Sequence, residues 1–90
     1  MLVATAAAAQ LRTLPPEAQL AHMSFIEANA VDVDGSRMEL SPGAQIRDES
    51  NRIILPVALP PASLVCYVVD ADGRVHRVWI LTPEEAARRG

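Results

Sequence analysis

A chain of 90 residues with a net charge of −3 is one domain at most, and its acidic balance argues against a nucleic-acid partner, whose phosphates call for a basic surface. Half of the residues are hydrophobic but only 3% are aromatic, so any core must be built from small aliphatic side chains. With the N-terminus set aside, about sixty patterned residues remain, near the lower limit for independent folding, and a homodimer would add buried surface.

Residues 1–9, MLVATAAAA, form an apolar, small-residue run that ends in an Ala-x-Ala pattern and then turns polar at Gln10. This reads as the remnant of a secretory signal peptide, with cleavage near Ala9. The run is too short to span a bilayer and lacks the basic residues that open a full signal, which places the true start upstream of Met1. The expectation is an exported, periplasmic protein with no stable membrane insertion after processing. The alternative is a cytoplasmic protein that begins with an Ala-rich helix.

Residues 10–22 read as a flexible linker or a short helix over Pro16–Ala21, because Pro15 and Pro16 interrupt any helix running from the N-terminus. A single β-domain with a C-terminal helix then occupies 23–90. Its first strand covers His22–Glu27, with Met23 and Phe25 on one face. Ala30–Leu40 is a hairpin: Asp34-Gly35 is a type I′ turn signal that pairs Val31 with Met38 inside and Asp32 with Arg37 outside. Ser41-Pro42-Gly43 fits a type II turn, followed by a short strand over Ala44–Arg47. Asp48–Asn51 is an acidic loop and Arg52–Leu55 another short strand. Pro56–Ser63 is a loop across one end, with Val57, Ala58 and Leu59 placed to plug it.

Leu64–Leu81 carries the strongest fold signal, two apolar runs rich in Val, Tyr, Ile and Trp around Asp70-Ala71-Asp72-Gly73. With Asp70 near Arg74, a regular ladder sets Cys66 opposite Val78 and Leu64 opposite Ile80 on a core face. It sets Tyr67 opposite Arg77 and Val65 opposite Trp79 on the other. That second face, Val65, Tyr67, Arg77, Trp79 and Leu81, is the candidate interaction face, because Trp, Tyr and Arg are enriched at binding hot spots. The competing reading covers it with the first strand or the terminal helix. That helix is announced by Thr82-Pro83-Glu84-Glu85, a capping box with Pro at the first helical position.

Residues able to carry chemistry are few. Cys66 is the only cysteine, so no intramolecular disulfide can form, and its apolar neighbours mark it as a buried hydrophobe. His22 and His76 are the only histidines; with Cys66, Met23 and Met38 they supply the donors for a soft-metal site, but no ligand spacing supports one. The two Asp-x-Asp-Gly segments, Asp32–Gly35 and Asp70–Gly73, lack the remaining ligands of a calcium loop and read as turns. Asp48 and Glu49 are adjacent carboxylates on a polar loop. No Ser/His/Asp order or phosphate loop is evident, so the chain reads as a non-enzyme that needs no cofactor.

From Val31 to Glu85 the chain resembles a group of small exported bacterial β-domain proteins of unknown role. The likeness rests on Val33-Asp34-Gly35, Leu40 through Arg47, Asn51, Leu55-Pro56, Val75 and Val78 through Glu85. It implies a compact periplasmic β-domain and supplies no catalytic residues. The expected fold is all-β: a small antiparallel barrel of five or six strands, OB-like or SH3-like, with a short C-terminal helix and a flexible N-terminus. The expected function is an exported, non-enzymatic binding or protein-interaction module whose partner is another protein or a second copy; the alternative is a metal-responsive or metal-binding periplasmic protein.

Overall fold

The computed structural model describes residues 12–89. The signal-remnant reading of residues 1–9 therefore lies outside the described residues. Six strands follow in order, β1 (Gln19–Glu27), β2 (Ala30–Val33), β3 (Ser36–Arg47), β4 (Ile53–Ile54), β5 (Ser63–Val69) and β6 (Val75–Ile80), with a 3₁₀ turn at Pro56–Ala58 and one helix, α1 (Pro83–Arg89). The sheet runs β2-β1-β5-β6-β3-β4, and a further β2–β3 pairing joins its second and third strands in sequence. Five strands thus form a hydrogen-bonded ring, with β4 attached outside it along β3.

The ring is not wholly antiparallel. β3 and β6 are parallel, with Leu40 beside Val75 and Ile46 beside Val78. This corrects the expectation of an antiparallel barrel. Two strands change partner along their length: β1 pairs β5 through Gln19–Met23 and β2 through Met23–Glu27, while β3 passes from β2 to β6. The change of partner explains Ser41-Pro42-Gly43, which is no type II turn. These residues lie inside β3, within the register shift between Leu40 and Gln45. A proline has no N–H to give a ladder, so it is tolerated where the ladder is interrupted.

The interior is aliphatic, as the composition requires. Met23, Val31, Ile46, Val65, Val75 and Val78 are essentially inaccessible and pack with Leu40, Tyr67 and Ile80. Of the three residues placed to plug the end, Leu59 is buried in this cluster, whereas Val57 and Ala58 face outward. The Ala30–Leu40 hairpin has the expected register, Val31 beside Met38 and Asp32 beside Arg37, with positive φ at Asp34 (52°) and Gly35 (91°) as a type I′ turn demands.

Two expectations need correction. β1 begins at Gln19, so residues 19–22 are neither linker nor helix but strand, paired with Leu64–Tyr67 of β5. The β5–β6 register also differs by one residue over most of its length. Val65 pairs Ile80, Cys66 pairs Trp79, Tyr67 pairs Val78 and Val68 pairs Arg77, and only Val69 with Val75 keeps the regular spacing set by the turn. His76 is the extra residue of a β-bulge. Val75 and Val78 are three apart and would face opposite sides of a regular strand, and the bulge turns both into the core.

Candidate functional site

The bulge divides the predicted interaction face. Val65 and Tyr67 point into the ring and are buried. Leu81 and Trp79 lie on the outside of the hairpin, packed with Cys66, Leu64 and Val68. Arg77 is half-buried and donates from Nη1 to the carbonyls of Gly43 (3.0 Å) and His76 (2.9 Å). The five residues therefore do not share a surface. What covers the Trp79 side is Leu14 and Ala18 from the segment before β1, together with Ala86 of α1.

That covering is held by a residue sequence reasoning missed. Arg12 makes a two-pronged ion pair with Glu85: Nε donates to Oε2 and Nη2 to Oε1, both at 3.0 Å. It also donates to the carbonyls of Asp48 (2.7 Å) and Ile80 (2.6 Å) and to Asn51 Oδ1 (3.3 Å). Its side chain is 9% exposed and that of Glu85 7%. Glu85 also completes the predicted capping box: Thr82 N–H donates to Oε1 (3.0 Å) and Glu85 N–H to Thr82 Oγ1 (3.1 Å). Burial pushes the Glu85 carboxyl up, but the Arg12 guanidinium and the Thr82 N–H outweigh it, and its pKa lies below the ordinary value of 4.5. Glu85 was legible as a cap. Its partner, 73 positions away, left no local signal.

The acidic turns are structural. Asp70 Oδ1 accepts from the N–H groups of Asp72 and Arg74, both at 2.9 Å, and Asp48 Oδ1 accepts from those of Ser50 and Arg52 at the same distance. Both loops close with an Asp N–H to Arg carbonyl bond of 2.8 Å, and both hold positive φ at the fourth residue, Gly73 (80°) and Asn51 (67°). The true pair of related loops is therefore Asp48–Arg52 and Asp70–Arg74. Hydrogen bonding by the Arg74 N–H keeps the Asp70 carboxyl below its ordinary range. Asp34 caps the backbone N–H of His22 (2.9 Å), whose ring is exposed. Among the described residues, no three His, Cys, Asp or Glu side chains gather as a metal-ligand set.

A cleft of about 530 Å³ opens where the β1–β2 turn, β3 and the β5–β6 loop meet. Ala28 and Asn29 line one side, Glu39, Leu40, Ser41, Pro42 and Ala44 of β3 form its floor, and Pro56 and Arg74 complete it. The frame is rigid. The Leu40 N–H donates to the Asn29 carbonyl (2.7 Å), Glu39 sits opposite Ala30, and Arg74 is fixed by both backbone bonds of its loop. Ser41, nearly buried, shares a 2.7 Å hydrogen bond with His76 Nδ1, so the imidazole on the bulge is one hydrogen bond from the cleft. Among the described residues, no aromatic side chain lines it.

Comparison with protein-family models, with curated proteins and with solved structures finds no match to this chain.

Proposed function

We propose that the five-stranded ring is an OB-type barrel serving as an exported, non-enzymatic binding or protein-interaction module, and that the cleft over β3 is its binding site. The observation that carries this reading is the place of the cleft. OB-type barrels take ligands across the face of their second and third strands, between the loop after the first strand and the loop before the last. Here the cleft lies on β3 between Asn29 and Arg74, at the corresponding loops. The parallel β3–β6 pairing favours the OB-like over the SH3-like form of the barrel. The cleft's size lies within the roughly 300–1,000 Å³ of small-ligand sites. Export rests on the N-terminal run and on the resemblance over Val31–Glu85.

The test is a fragment screen read by ¹⁵N–¹H NMR on the isotope-labelled full chain. Amide shifts clustering at Asn29, Glu39–Ala44 and Arg74 are expected. Shifts that cluster instead around Trp79 and Arg77 would return the binding role to the outer face of the β5–β6 hairpin and remove the cleft from consideration.

A further inference from the structure

We infer that the cleft binds a short peptide through its opposite charges, the carboxylate at Arg74 and the ammonium at Glu39; this rests on the cleft being the binding site. Leu40 and Val75 are register partners on parallel strands, so Glu39 and Arg74 stand side by side just ahead of that pair. They nevertheless do not close on each other. Arg74 is exposed, its guanidinium at the long distance of 4.0 Å from Asp72 and its charge also acting on Asp70, and Glu39 has no ion-pair partner among the described residues. A guanidinium and a carboxylate carried by hydrogen-bonded backbone at one cleft complement a ligand with both charges. The rest of the lining selects among ligands. Bases stack on aromatic side chains when single strands are bound, and the lining here beside its polar groups is aliphatic, Leu40, Pro42, Ala44 and Pro56. Beside Pro56, Leu55 and Val57 are 71% and 67% exposed, which provides apolar contact beyond the reach of a single amino acid.

The same charge chemistry belongs to a free amino acid, so the experiment separates the two. Calorimetric and NMR titrations of the full chain would use the tripeptide Ala-Leu-Ala, its N-acetyl form, its C-terminal amide, leucine alone and maltotriose. The free tripeptide should shift the cleft amides, and each cap should weaken binding about tenfold, the loss of one charge-assisted hydrogen bond. Arg74→Gln should abolish discrimination against the amide only, and Glu39→Gln discrimination against the acetyl form only. Both side chains are exposed, and an unchanged spectrum of each free variant confirms that it is folded. Equal binding of capped and free peptides, no response to the tripeptide at millimolar concentration, or leucine binding as tightly as the tripeptide would overturn the inference. Maltotriose shifting the cleft amides while the peptides do not would also overturn it, yet leave the cleft as the binding site.

Discussion

Arg12 and Glu85 show how much of a small fold can depend on one pair of side chains. The guanidinium satisfies two backbone carbonyls as well as the carboxylate, and among the described residues no buried side-chain nitrogen or oxygen is left without a partner. Removing Arg12 leaves a largely covered carboxylate without its cation, and breaking a buried pair in this way is strongly destabilising. Arg12→Ala should cost about 3 kcal/mol in urea denaturation at pH 7. The pH dependence follows from the lowered Glu85 pKa. Its contribution is fully present above the ordinary value of 4.5 and is lost as pH falls through the lower native value. Denaturation midpoints measured from pH 6 to pH 2 should therefore fall steeply in the natural protein and less steeply in Glu85→Gln. The remaining slope includes Asp70, whose pKa is depressed in the same direction. At the β5–β6 turn, Gly73→Ala should cost about 1 kcal/mol because φ there is +80°. Asn51→Gly, at the matching position, should keep the loop and lose only the long bond from Arg12.

Among the elements, β6 and the segment before β1 decide most. β6 needs its bulge, because the inward set is Val75, Val78 and Ile80 and no unbroken alternation contains all three. Deleting His76 would leave Val75, Val78 and Ile80 two apart on one face of a regular strand with their β5 partners unchanged, so the shortened chain should keep cooperative thermal unfolding and lose only the bond to Ser41. His76→Ala keeps the residue count and should remain folded. The segment over 12–18 acts as a strap across the outer hairpin face, with Leu14 and Ala18 over Cys66 and Trp79. Loosening the strap by Leu14→Ala should speed modification of the buried Cys66 by a thiol reagent under native conditions, with little change in the far-UV spectrum. Trp79→Ala, which removes the largest side chain packed on this cluster, should cost about 3 kcal/mol, and Arg77→Ala about 1 kcal/mol for two bonds to carbonyls.

For the whole molecule, closure of the ring is the governing feature. The β1–β5 and β3–β6 pairings join strands far apart in sequence, and neither can form before the loops between them are closed. Such non-local topology places refolding in the range of milliseconds to seconds, as stopped-flow fluorescence of Trp79 would measure. Closure also creates the cleft, since Asn29 and Glu39 come from the β2–β3 hairpin and Arg74 from the β5–β6 hairpin, and they meet only when β3 lies between β2 and β6.

Local chemistry determined what could be read from the residues alone. The Asp34-Gly35 hairpin and its register follow from the positive φ of a two-residue turn, the Thr82–Glu85 cap from the reach of neighbouring side chains, and the β content from branched residues in short alternating runs. Tertiary structure decided everything that depends on packing two distant segments together. It placed the bulge at His76, because only the core distinguishes an inward Val78 from an outward one. It set Pro42 within a strand that changes partners, matched Arg12 to Glu85, and made the β3–β6 pair parallel. The predicted face of Val65, Tyr67, Arg77, Trp79 and Leu81 divided for the same reason: a strand's side-chain period is two, and one inserted residue exchanges its faces.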